Sequence, residues 1–253
     1  MEITNGNAEK NQTLIERLFS VGAHFGFSRS RRHPTVTPYI FGNKQGTDII
    51  DLEKTNELLE TARQFLIEAG KTGKTILFVS TKEEISQTVK AAAEKAEMPF
   101  VTNRWVGGML TNFVEIKKRI ARLGELVAQG ESGELERKYT KKERVVIGRE
   151  LEKLRYNFGG IQKMDRAPYA MVVVDTRHDV IAVAEANTLN IPVLGITSSD
   201  SNLTNITYPI VVNDALQASV ALVLEELVSA YQEGAKDAVT APKKDVHVRP
   251  RGE

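Results

Sequence analysis

Residues 74–80 read KTILFVS, a continuous apolar run closed by a hydroxyl residue. A strand with one wet face alternates apolar and polar side chains, so an unbroken run of this length reads as a strand buried on both faces. Residues 83–97 follow with a helical pattern whose packing side carries alanines, which makes a βα unit. Working outward, MPFVT (98–102) is a short strand, YAMVVVD (169–175) a second two-sided strand and residues 179–189 a helix. PVLGIT (192–197) and YPIVVN (208–213) are further strands, and residues 214–232 a long helix. On the N-terminal side residues 13–20 and 53–69 read as helices, with YIFG (39–42) and TDIIDL (47–52) as a β-hairpin about turn residues 43–46. Strands alternating with helices predict an α/β fold, a largely parallel sheet with helices on both faces.

The alternation breaks at one place. Phe113, Ile116, Ile120, Leu123 and Val127 recur at spacings of 3, 4, 3, 4, and Ile147, Leu151, Leu154 and Phe158 at 4, 3, 4. These are the seams of an antiparallel coiled-coil hairpin inserted into the α/β domain. Asn112 is expected to cap its first helix with Glu115 reaching back. The glycine pairs 107–108 and 159–160 bracket the insertion, where sharp backbone turns call for φ > 0. The expected organisation is an α/β domain from 13–111 and 157–232, an arm from 112–156, a disordered N-terminal extension over 1–12 and a flexible tail over 233–253.

The 253 residues contain no cysteine, which excludes disulfide scaffolds and thiolate metal sites. The polar start and the absence of a long apolar window give the expectation of a cytoplasmic protein. Total charge is nearly balanced, Lys+Arg 34 against Asp+Glu 33, but its distribution is not. Residues 17–47 hold Arg17, Arg29, Arg31, Arg32 and Lys44 with no acid, and residues 112–156 hold 12 cations against 8 acids. A protein with one face turned to nucleic acid shows such asymmetry, as does an ordinary solvated surface.

RWVGGMLTN (104–112) has the look of a phosphate-binding loop, with an arginine and a glycine pair before a helix. It is not G-x-G-x-x-G, and a coiled coil follows it instead of a strand bearing an acidic ribose ligand. Gly73-Lys74-Thr75 resembles the end of a P-loop, but Glu68 stands where glycine is required and the segment precedes its strand. His24, His33, His178 and His247 form no ligand pair, so no metal site is expected. Asp175 and Asp200 sit where catalytic carboxylates stand in this fold class and are read as turn or capping residues, since no nucleophile accompanies them. Trp105 is read as partly buried packing, with stacking on a base as the alternative. Lys117, Lys118, Arg119 and Arg122 lie off the apolar seam and suit a phosphate backbone, or simply solvent.

HFG (24–26), PYIFG (38–42), IIDLEKT (49–55), LFVSTK (77–82), RWVGGMLTNF (104–113), NFGGI (157–161), VVVD (172–175), AVAEANTLNIPV (182–193) and YPI (208–210) come in an order and spacing that resembles the bacterial small-subunit ribosomal protein S-two family. The resemblance covers residues 13–232. It implies a flavodoxin-like α/β domain with a protruding coiled-coil arm and a structural constituent of the small ribosomal subunit with no enzymatic activity. It also implies contact with small-subunit ribosomal RNA between head and body, docking of neighbouring ribosomal proteins including S-one, and no cofactor. Arg31 and Arg104 match family positions as contacts to RNA or protein, while Arg29, Arg32, Lys44, Lys117, Lys118 and Arg122 are RNA-binding candidates on charge. The chain departs from the family pattern at Phe27-Ser28, Arg32-His33, Ser198-Ser199-Asp200 and Val211-Val212.

Overall fold

A computed structural model of the chain describes residues 13–240. The expected N-terminal extension and the end of the expected tail lie outside the described residues. Helix α1 (Leu14–Ser20) opens with a capping box in which the Glu16 N–H donates to Thr13 Oγ1 and the Thr13 N–H to Glu16 Oε2. Three antiparallel strands follow, β1 (Phe25–Ser28), β2 (Ile40–Lys44) and β3 (Thr47–Ile50), in the order β1-β3-β2. The β2–β3 hairpin turns where expected: Lys44 pairs with Thr47, and Gln45 and Gly46 take φ of 52° and 82°. Two positive φ values are what a two-residue type I′ turn needs. Strand β1 was not anticipated. Its four residues, FGFS, carry little strand signal and are ordered by pairing with the free edge of β3.

Helix α2 (Leu52–Lys71) leads to the main sheet: β4 (Ile76–Val79), α3 (Glu83–Lys95), β5 (Phe100–Val101), then α4 (Phe113–Glu131), α5 (Glu134–Lys138) and α6 (Lys141–Phe158) before β6 (Ala170–Val174). Helix α7 (Val180–Thr188), β7 (Val193–Thr197), β8 (Tyr208–Val211) and α8 (Gln217–Thr240) complete it. The five strands are parallel in the order β5-β4-β6-β7-β8, which counted along the chain is the flavodoxin-like 2-1-3-4-5. Side chains alternate between two cores as the strand period of two requires. Ile76, Phe78, Val172 and Val174 face the layer of α2, α3 and α8, whereas Leu77, Val79, Met171 and Val173 face α7 and the roots of α4 and α6.

Helices α2 and α8 touch backbone to backbone. A Cβ at Gly70 would overlap the Tyr231 carbonyl, and one at Gly234 the Ile67 carbonyl. This contact explains a difference from the sequence reading. The sequence reading ends this helix at 232, yet α8 runs on through Gly234 to Thr240. In this helix glycine is needed for close approach, not for a left-handed exit.

In the insertion, Ile116, Leu123, Leu154 and Phe158 of the expected seams are buried and Phe113, Ile120, Val127, Ile147 and Leu151 are partly buried. Leu126, outside the expected seam, is fully buried. The polar connection is not a plain turn: Gly133 takes φ 69°, α5 follows, and Thr140 caps α6 in a box with Glu143. Two local expectations fail. Asn112 makes no side-chain cap bond, and Glu115 instead accepts from Lys118 Nζ at 2.6 Å. Of the glycine pairs, Gly108 does turn at φ 86°, but Gly159 is right-handed, and Gly160 is small because a Cβ there would overlap the Phe100 carbonyl.

Two substitutions separate the roles of glycine. Gly234→Ala should destabilise the protein by about 1–3 kcal/mol through overpacking. Gly124→Ala, within α4 and with open space around it, should stabilise it by roughly 0.5–1 kcal/mol. Urea unfolding of the two variants beside the parent chain checks both signs.

Candidate nucleic-acid interface

The acid-free stretch from 17 to 47 is not free of acids in three dimensions. Arg17 Nη1 donates to Glu226 Oε1 at 2.9 Å, from a helix more than two hundred residues away. Arg32 binds Asp48 in a forked pair, Nε to Oδ2 at 2.7 Å and Nη2 to Oδ1, with Asp48 fully buried and the Arg32 side chain 20% exposed. The bonded Arg32 guanidinium holds the Asp48 carboxyl below the usual carboxylate range against the opposing effect of burial, helped by Asn43. Among the RNA-binding candidates Arg32 is thus set apart, its charge paired with a buried carboxylate.

Arg29, Arg31 and Lys44 remain. All three are exposed and none forms an ion pair among the described residues. They are brought to one end of the small sheet, because the Arg29 N–H donates to the Gly46 carbonyl and Lys44 pairs with Thr47 beside the same turn. Arg31 also lies 6.0 Å from the Phe27 ring centroid. Arg104 is exposed but elsewhere. It follows β5 at one edge of the main sheet, whereas the small sheet is bonded to the loop after β7, through Phe27 N–H to Ser199 Oγ at 2.8 Å and His33 N–H to the Ser199 carbonyl at 2.9 Å. On the insertion, Lys118 pairs with Glu115, Lys117 with Asp165 at 4.0 Å, and Arg122 with Glu150 at 3.3 Å and Glu125 at 3.6 Å. Exposed pairs of this kind are worth little and exchange readily.

The loop that resembles a phosphate cradle already holds an anion, and it is the protein's own. Glu185, on α7, is 8% exposed. Its Oε1 accepts from Trp105 Nε1 at 3.1 Å and the Gly108 N–H at 2.8 Å, and its Oε2 from the Leu110 N–H at 3.0 Å, the Thr111 N–H at 3.1 Å and Thr111 Oγ1 at 3.1 Å. Burial works to raise its pKa, and the N–H groups of Thr111, Leu110 and Gly108 with the Trp105 indole outweigh it, so the carboxyl stays below its ordinary range. Trp105 is thereby packing, 9% exposed, and not a free stacking platform. Glu185 escaped the sequence reading. Its one signal is a lone acid in the apolar stretch VIAVAEA.

The crevice where nucleotides bind in this fold class, between the carboxyl ends of β4 and β6, is bridged by the chain itself. Asp179 accepts from the Thr81 N–H at 2.9 Å and Thr81 Oγ1 at 2.7 Å, and Lys82 Nζ donates to Asp175 Oδ2 at 3.2 Å. Asp175 and Asp200 do not pair with each other: Asp175 accepts the His178 N–H in a turn at φ 61°, and Asp200 binds Arg177. Beyond β8, Asp214 is 1% exposed and neither carboxylate oxygen makes a hydrogen bond of ordinary geometry. Burial, reinforced by Asp175, pushes its pKa up to about 8, so it is largely neutral at pH 7.

Two expectations follow. Arg32→Ala should cost about 3–5 kcal/mol by stranding a buried carboxylate, whereas Arg29→Ala and Arg31→Ala should each stay within about 0.5 kcal/mol; thermal melts at neutral pH distinguish them. For Asp214 the folded pKa lies above the unfolded one, so its stabilising proton is present below the unfolded value and lost as pH rises through about 8. The thermal midpoint should therefore fall from about pH 4 to about 8 and level off above it, and Asp214→Asn should flatten that fall.

A family model described as Ribosomal protein S2 matches residues 18–234. Curated relatives named "Small ribosomal subunit protein uS2" include one from Syntrophobacter fumaroxidans, 41% identical over 220 residues, or 87% of this chain and 80% of the relative. Another, from Nocardia farcinica, is 41% identical over 87% of this chain and 77% of its own length. A third, from Salinibacter ruber, is 40% identical over 90% of this chain and 71% of its own.

Proposed function

We propose, from the premise that the chain belongs to the ribosomal protein S2 family, that it lays the end of its β2–β3 hairpin and the basic side of its helical insertion against small-subunit ribosomal RNA. As a member of that family it is a structural constituent of the small ribosomal subunit, a bacterial-type cytoplasmic component of translation without enzymatic activity. The observation that carries the RNA reading is the grouping of Arg29, Arg31 and Lys44, exposed at one sheet end. Contact through such cations is to phosphate, and its strength comes from counterion release. Arg104 offers a further contact at the root of the insertion. Lys117, Lys118 and Arg122 exchange their exposed carboxylate partners for phosphates at small cost.

The insertion is an antiparallel coiled-coil arm in this reading. The Arg122–Glu150 pair and the shared groove of Ile116 and Arg119 with Lys153 and Leu154 support it, since a residue further along α4 meets one further back on α6. Docking of the neighbouring ribosomal protein S-one is supported by an exposed aromatic group. His24 stacks on Phe19 at 4.4 Å and lies tilted against Phe25 at 4.0 Å, with Phe19 61% and Phe25 48% exposed, and such a patch suits a protein partner.

The test is binding of the Arg29→Ala/Arg31→Ala/Lys44→Ala variant to small-subunit ribosomal RNA across a salt series. Each phosphate contact contributes roughly 0.7 to 0.9 to the log–log salt slope, so the slope should flatten by roughly 2 to 3 units, with the thermal midpoint unchanged. A slope and affinity equal to the parent's would remove this cluster from the interface.

A further inference from the structure

We propose that Glu185 is a positioning residue that sets the direction in which the helical insertion leaves the α/β domain. The loop from 104 to 112 is the first root of the insertion, joining β5 to α4. Five donors of that root converge on one carboxylate carried by α7, and both of its oxygens are used. Hydrophobic contacts of Trp105, Met109 and Leu110 in the same core hold the root down but are non-directional. Hydrogen bonds to fixed N–H groups are directional, so the clasp fixes the angle as well as the attachment.

Two further observations make the clasp necessary. The usual local device is missing, since Asn112 does not cap α4 with its side chain. The second root is held by the non-directional burial of Leu154, Phe158 and Ile161 and by a close contact of Gly160 with Phe100, with one directional bond from Asn103 Nδ2 to the Tyr156 carbonyl at 2.8 Å. Without the carboxylate, the N–H groups of half-buried Gly108 and buried Leu110 would be donors lacking a partner, and the root would rearrange to satisfy them. The geometry also states what kind of group could replace it: a small carboxylate or similar oxyanion, which a ring of convergent N–H donors binds as it binds phosphate.

The consequence for RNA rests on the reading given under Proposed function, and the experiment separates the two. The chain has no cysteine, so Glu57→Cys on α2 and Glu131→Cys at the end of α4, both exposed, accept a pair of spin labels. Pulsed dipolar spectroscopy of the full chain should give one narrow distance distribution. Glu185→Ala should broaden it while the α/β domain keeps a cooperative thermal transition, and sodium formate, not sodium chloride, should narrow it again. Glu185→Gln should broaden it with no rescue by formate, because its amide fills the space and turns a donor toward donors. If about one molecule in ten then holds the competent direction, RNA affinity falls about tenfold. A narrow, parent-like distribution in Glu185→Ala would overturn the proposal whatever happens to RNA, as would an Ala variant that fails to fold at all, since the carboxylate would then support the core in general. A parent protein that does not bind the RNA would sink the RNA reading and leave the distance result standing.

Discussion

A parallel sheet must be covered on both faces, and this constraint organises the molecule. β4 and β6 carry apolar side chains to both sides, so two cores have to be built. One is made conventionally by α2, α3 and α8. On the other face α7 alone is too short, and the crossover between β5 and β6 is not a single helix. The roots of α4 and α6 fill the vacancy: Ile116, Leu154 and Phe158 share a core with Leu77, Val79 and Val173. The insertion is thus an elongated crossover connection whose base covers the sheet, and what extends beyond the base is free to take on another task.

That arrangement places the loop from 104 to 112 at a junction, and its chemistry follows. A tight turn entering a helix leaves N–H groups unpaired, and the second core buries some of them. A phosphate-binding loop meets the same problem with a ligand. Here the solution is internal, a carboxylate from the neighbouring helix, and burying that carboxylate is tolerable because five donors surround it. The resemblance to a nucleotide cradle is therefore physical, since both are anion sites, while the anion differs. The switch-point crevice tells the same story, with Thr81 bonded to Asp179 and Lys82 to Asp175.

Electrostatics shows how far linear charge can mislead. Arg17 and Arg32 count as free cations along the chain, but Glu226 and Asp48 reach them in the fold. The remaining Arg29, Arg31 and Lys44 form a smaller, better-defined group, placed together by a hairpin whose register is set by its turn. Asp214 is the opposite case, an acid that burial, reinforced by Asp175, leaves neutral against the pull of Lys82.

The amino-acid sequence alone determined the features that depend on local periodicity and local sterics: the two-sided strands, the β2–β3 turn, the helices flanking them, the apolar spacing of α4 and α6 and, through RWVGGMLTNF and its companion motifs, the family. Those signals are short-range, and a few residues suffice to express them. The tertiary structure alone decided whatever needs a partner distant in the chain. Strand β1 exists because β3 has an edge, Gly234 continues a helix because Ile67 lies against it, Arg32 is neutralised by the buried Asp48, and the cradle of residues 105–111 is filled by Glu185. Each of these is a pairing of groups whose separation along the chain carries no trace in either segment, since a carboxylate that will be buried and one that will face water are the same letter until the fold supplies its neighbours.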